Sequence, residues 1–190
     1  TILLLSNITL SQSLKLGGYI PLHYPVGKTN LNYELKYGYG FVFAPKFLIG
    51  DYSSIGFNFG YNTFSTKIKP ETIYKNSKVK STKYKFDSYS IFYEYEFYEI
   101  SADLNLFWGI ETGGYSVSNQ YIYLGNNNIK KTANLMDTYL GTAIYSGANY
   151  KITNNIELHG NIKYLYLFPH KKEKYNFSSI SLNMGAFYVF

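Results

Sequence analysis

Three histidines, His23, His159 and His170, and two carboxylates spaced to share a strand face, Glu94 and Glu96, are the side chains of this sequence best suited to moving protons. A histidine beside a hydroxyl would activate a nucleophile. The residues after His159 are Gly160 and Asn161, which supply no hydroxyl. Glu94 and Glu96 have a plainer use, because enclosed carboxylates need cations or hydrogen-bond donors around them. Lys15, Lys36, Lys151 and Lys163 fall where they would meet those carboxylates, together with Glu34, Asp103, Glu111 and Glu157, as an interior charge network that leans acidic. Phosphate loops, dinucleotide fingerprints, nucleophile elbows and metal-spaced His pairs are absent from the sequence. Cys is absent too, which excludes thiolate metal sites. The residues therefore predict no catalytic set, no cofactor and no metal.

The cations are unevenly spread. All 18 basic residues are Lys, so the guanidinium fork that grips phosphates in two places is missing. A net charge of +6 without it does not predict a nucleic-acid partner. Lys67, Lys69, Lys75, Lys78, Lys80 and Lys83 crowd around a single acid, Glu71, and smaller groups follow at Lys130–Lys131 and Lys171–Lys174. Clustered surface cations attract anionic groups at around 1 kcal/mol each. The 67–83 segment is therefore the candidate surface-binding loop.

The elements that must position these groups are strands. Tyr contributes 23 residues and Phe 14, more than a core of this size uses, and Tyr settles where apolar surface meets water. Mean hydropathy is −0.19, and no apolar run reaches the roughly 18 residues of a spanning helix. From Leu14 onward, apolar residues recur with period two over eight stretches: Leu14–Leu22, Tyr33–Phe43, Ile55–Tyr61, Tyr89–Phe97, Ala102–Ile110, Leu140–Ile152, Ile156–Phe168 and Ile180–Phe190. The other faces carry the charged residues, with glycines such as Gly38, Gly56, Gly109 and Gly147 set among Phe64, Phe92, Phe107 and Tyr145. Small beside large suits a narrow enclosed lumen.

Connections alternate between tight ones, near 50–53, 98–101 and 153–155, and long polar ones, near 23–32, 67–84, 118–133 and 169–176. A soluble lipocalin-like barrel shares the alternation with its faces inverted, but short turns on one rim and long loops on the other form the outer-membrane pattern. The expected fold is all-β: a closed eight-stranded antiparallel up-and-down transmembrane β-barrel with short periplasmic turns, long extracellular loops and both termini in the periplasm. It takes residues 12–190. Residues 1–11, with an apolar Ile2–Leu5 run and Thr9-Leu10-Ser11 as a small-x-small site, read as the remnant of a signal peptide.

The final strand, Ile180–Phe190, is apolar or aromatic at every second position back from its end. It resembles the terminal signal read by barrel-assembly machinery, carried here by Leu182, Met184, Ala186, Tyr188 and Phe190. From about Leu14 the whole chain resembles the small eight-stranded outer-membrane proteins of the OmpA transmembrane-domain and OmpX type, in architecture and not in any chemical motif. That resemblance implies a bacterial outer-membrane location, with membrane lipid, lipopolysaccharide and, during insertion, the assembly machinery as partners. It implies a non-enzymatic role in envelope integrity or surface interaction through the Lys-rich loops. A narrow channel for water or small ions is the first alternative, and a lipid-modifying enzyme the second. Two enzyme families use eight-stranded barrels. Where a lipid A deacylase carries a His-x-Ser arrangement, this chain has His159-Gly160-Asn161. His23 falls in the first long connection, as a lipid A palmitoyltransferase would want, but the second carries Ser81-Thr82-Lys83 without an adjacent Asp.

Overall fold

A computed structural model describes residues 14–26, 35–66, 72–74, 77–124, 130–168 and 177–190. They form β1 (Leu14–Pro25), β2 (Leu35–Phe43), β3 (Lys46–Leu48), β4 (Ser53–Thr66), β5 (Thr72–Tyr74), β6 (Ser77–Ser101), β7 (Leu104–Leu124), β8 (Lys130–Thr153), β9 (Ile156–Leu167) and β10 (Phe177–Val189). β3 continues β2 between β1 and β4, and β5 is a short ribbon on β6. The remaining strands pair in sequence, and β1 closes on β10 from Lys15↔Val189 to Pro25↔Ser179. The wall is a closed eight-stranded antiparallel barrel, a form that leaves no sheet edge in hydrocarbon.

Period two decides which side chains face out. Ile20, Tyr39, Phe57, Tyr89, Ile110, Ile162 and Met184 are exposed on the outer surface, while Tyr19, Asn58, Phe92, Glu111, Lys163 and Asn183 are buried in the lumen. Glycines let the interior rings lie flat against the wall. A Cβ at Gly109 would enter the Tyr145 ring, and one at Gly56 the Phe92 ring. At the β3–β4 turn Gly50 has φ +76°, the left-handed region that favours glycine.

Three local features set where the alternation shifts, persists or ends. A register shift lies between Leu35 and Gly38, so Leu35 is buried while Lys36 and Tyr37 are both exposed. Such a bulge sets two residues against one and turns the following side chains over. At Pro45 the ring removes a donor, but its carbonyl accepts the Phe57 N–H at 3.0 Å and the Ala44 N–H reaches Gly17 O at 2.8 Å. Alternation therefore carries through the proline and points Lys46 inward. The β6–β7 turn sits at Ala102–Asp103, past the predicted 98–101, after register shifts at Glu96/Tyr98 and Glu99/Ser101.

β6, β7 and β8 run for 25, 21 and 24 residues, about twice what a strand needs to cross a bilayer. Segments predicted as the second and third loops are thus largely strand, with β7 paired as far as Leu124↔Lys78 on one side and Leu124↔Lys130 on the other. Polar Lys, Ser, Thr and Asn mask these strands in the sequence, because the two-face contrast is needed only where one face is buried.

Candidate functional site

The lumen is filled in layers. At its centre the Glu111 carboxylate accepts hydrogen bonds from Lys163 Nζ at 2.6 Å, Ser90 Oγ at 2.6 Å, Asn58 Nδ2 at 2.9 Å and Tyr115 OH at 2.9 Å. Lys163 Nζ also donates to Tyr19 OH at 3.0 Å and lies 5.3 and 5.6 Å from the ring centres of Tyr19 and Tyr145. Toward the short-turn rim, Lys46 pairs with Glu94 at 2.7 Å and Lys15 with Glu157 at 2.6 Å. Contacts of 3.9 Å, Lys46–Glu157 and Lys15–Glu96, join the pairs into one cluster. Glu96, its outermost member, accepts from Asn105 Nδ2 at 2.8 Å and Asn149 Nδ2 at 3.2 Å. Each carboxylate is met by cations, amides or hydroxyls, the condition for keeping charge inside a wall.

His159 lies against Phe107, ring centres 4.8 Å apart and 19° from parallel, with Phe187 edge-on at 5.3 Å. Asn161 Nδ2 is 2.7 Å from its Nε2, and its Nδ1 is 2.8 Å from Asn149 Oδ1. With the Asn161 amide donating, Nε2 is the acceptor and Nδ1 carries the proton, so both nitrogens of a neutral ring are occupied. The arrangement positions a ring and activates nothing.

Toward the long-loop rim the filling turns aromatic. Phe64, Phe86 and Phe177 pack with ring centres 5.4–6.1 Å apart, joined by Leu35, Tyr115, Leu165 and Leu167 in one buried cluster. His23 belongs to this cap. It lies on β1 opposite Gly38 and Ser181, buried, with its ring centre 5.5 Å from that of Phe64. This corrects its expected place in the first long connection: β1 continues through Pro25, and inward parity puts the imidazole inside the wall. Among the described residues, two small lumenal voids measure about 10 and 20 Å³, room for about one water each. At the short-turn rim a vestibule of about 750 Å³, lined by Lys15, Asp51, Glu96, Glu99, Lys151 and Glu157 among others, narrows onto the Lys15–Glu157 pair.

The structure brings Lys15, Glu94, Glu96 and Glu157 together in one interior cluster with Lys46, and pairs Glu111 with Lys163 separately at the centre of the lumen. Lys36 points outward because of the bulge, Asp103 lies exposed in the β6–β7 turn, and Lys151 is exposed at the vestibule. Those three do not join the network. Glu34 lies outside the described residues. Lys46 was missed by sequence reasoning because Pro45 reads as the end of a strand; the signal was there in Phe43-Ala44-Pro45-Lys46-Phe47, where the alternation never breaks. Lys67, Lys69 and Lys75 lie outside the described residues, as do His170 and residues 1–11. Lys78, Lys80 and Lys83 are on β6, paired with Leu124, Ile122 and Gln120 of β7. Leu182, Met184, Ala186, Tyr188 and Phe190 are all exposed on the outer face of the last strand, where the Phe190 N–H donates to Leu14 O at 3.0 Å.

A family model described as Opacity family porin protein matches residues 39–190. No curated protein sequence matches the chain. Among solved structures, neisserial surface protein A is 15% identical with a TM-score of 0.53, the match covering 94% of this chain and 97% of that one. A major outer membrane protein from Thermus thermophilus is 12% identical with a TM-score of 0.61, covering 93% and 99%. Ail, the attachment invasion locus protein of Yersinia pestis, in a complex with the heparin analogue sucrose octasulfate, is 13% identical with a TM-score of 0.54, covering 94% and 97%. At these identities the likeness concerns the fold.

Proposed function

Because the chain belongs to the Opacity family of porin proteins, and is thus a bacterial outer-membrane barrel, we propose that it acts at the cell surface as a non-enzymatic binding protein of the envelope. Its long Lys-rich hairpins engage lipopolysaccharide or another anionic polymer, the short turns and both termini lie in the periplasm, and the Leu182–Phe190 face serves as the assembly signal. The observation that carries this reading is the filled lumen. Among the described residues, ion pairs at 2.6–2.7 Å below and a packed aromatic cap above fill the lumen, which favours the rim as the seat of specific activity. There, connecting segments vary without disturbing the wall. β6 and β7 carry the 78–83 cations beyond the length needed to span the bilayer. That a barrel of the same fold, Ail, takes a heparin analogue lends support to an anionic polymer as ligand.

The test is retention of the refolded barrel, in detergent, on immobilised heparin and on lipopolysaccharide. The variant Lys75→Gln/Lys78→Gln/Lys80→Gln should fold, giving the same heat-dependent shift on unheated gels, yet elute at lower salt, since exposed charges are screened over about 8–10 Å at physiological ionic strength. Equal retention of parent and variant at low salt would reduce the segment to a solvated connector. The filled lumen also argues against the channel reading, and planar-bilayer conductance tests it: steady porin-sized openings would restore the channel.

A further inference from the structure

The outer surface of a barrel is convex, and most of this one is ribbed by large side chains. Across β7 to β10 it sinks instead. Ser146 pairs with Trp108 and Ile162, and in the next row Ala148 pairs with Gly160, itself opposite Met184. Small residues on β8 and β9 thus form a floor between walls made by Trp108 on one side and Ile162 and Met184 on the other, enclosing a groove of about 970 Å³. The floor is open. A Cβ placed on Gly160 would meet only Asn183 O, at 3.9 Å. It is also chemically silent, because Ser146 turns its hydroxyl back to donate to Phe107 O at 2.9 Å, and none of the residues lining the groove is charged.

We propose that this groove is a seat for one acyl chain of a membrane phospholipid, held more firmly than the lipid around the rest of the barrel. The groove lies partway up the wall, with its Ala148–Gly160 row about four residues inside the short-turn end of β9 and its upper wall at Tyr164 three residues below the long-loop end, so it faces hydrocarbon in an outer-membrane barrel. A concave trough one strand pair wide matches a slender rod. A second copy of the chain would offer a convex wall to it, well short of the roughly 800 Å² per partner of a stable interface. With no cation in the lining to meet the phosphates of a multiply charged lipid, the groove recognises hydrocarbon and leaves the headgroup to water. A chain seated there gains from close packing along the floor that annular chains riding over ridges lack.

Trp108 is the single Trp of the chain and stands in the groove wall, so its emission reads occupancy directly. The refolded protein in octyl glucoside micelles is titrated with phosphatidylcholine brominated at mid-chain, which quenches indole on contact. Wild-type emission should fall about two-fold near one equivalent of lipid and then level off, as for a single site near saturation. Gly160→Leu, and separately Ser146→Leu/Gly160→Leu, fill the floor without touching the lumen and should need several-fold more lipid for the same loss, while keeping the heat-dependent gel shift of a folded barrel. Quenching that follows the bulk lipid-to-detergent ratio identically in wild type and Gly160→Leu would overturn the seat. So would insensitivity to bromolipid combined with a concentration-dependent dimer in native mass spectrometry, which would assign the groove to a second copy. Displacement of bromolipid by lipid A at far lower concentration than by unlabelled phosphatidylcholine would overturn the choice of phospholipid.

Discussion

Replacing Lys163 by Met removes the cation at the centre of the lumen while keeping most of its length and apolar stem. The loss can be worked from the contacts. Glu111 loses its 2.6 Å ionic bond, and Tyr19 OH loses its 3.0 Å donor. Ser90, Asn58 and Tyr115 remain on the carboxylate, so the charge stays hydrogen-bonded but uncompensated. Removing one partner of a buried pair costs about 3–5 kcal/mol. With a urea slope of about 2 kcal/mol per M, the unfolding midpoint should drop by roughly 2 M. The assay is urea unfolding in phospholipid vesicles followed by Trp108 emission and confirmed by the gel shift. A second variant, Lys163→Met/Glu111→Leu, removes both charges and should recover most of the loss, since an apolar pair of similar volume often replaces a buried ion pair at little cost. A loss below about 1 kcal/mol for the single variant, the value of a solvated pair, would mean that water reaches Glu111 freely, and the sealed-lumen argument would fail with it.

Gly147→Val should block folding or cost about 1–3 kcal/mol, because its Cβ would run into Gly160 O and the Asn161 backbone; Gly114→Ala, with nothing within 4 Å of its Cβ, should be neutral or stabilise by about 0.5–1 kcal/mol, and urea midpoints compare the two. Glu94→Gln should leave Lys46 with a neutral amide beside it and no carboxylate nearer than Glu157 at 3.9 Å and lower stability by about 3 kcal/mol or more, whereas Lys36→Gln, on the outer side of the bulge, should shift it by less than about 0.5 kcal/mol; equal effects would place Lys36 in the lumen after all. Phe190→Ser should slow insertion in cells, measured as heat-modifiable protein in membrane fractions, while folding in vitro changes little, since the 3.0 Å bond to Leu14 O comes from the backbone; a matching defect in vitro would make Phe190 a structural residue and not a signal.

Much of this molecule is local, and so legible in the chain. Side chains on a strand alternate whatever lies beside them, which is why the apolar rows at Tyr89–Phe97, Ile156–Phe168 and Ile180–Phe190, the count of eight wall strands and the inward placement of Glu94, Glu111, His159 and Lys163 could be read without a structure. What the sequence left open depends on neighbours far along the chain. Lys15 and Glu157 are 142 residues apart and Lys163 and Glu111 52 apart, so which cation meets which carboxylate is set by the registers at which β1 closes on β10 and β8 pairs with β7 and β9. The bulge before Gly38 turned Lys36 out and Leu35 in, because one extra residue reverses every side chain on that side of it. Lys46 lay hidden behind a proline whose missing donor the closed sheet tolerates. The Lys-rich ends of β6 and β8 gave no periodic signal, since backbone pairing extends a strand without any contrast between its two faces, and only tertiary structure records which backbone lies alongside which.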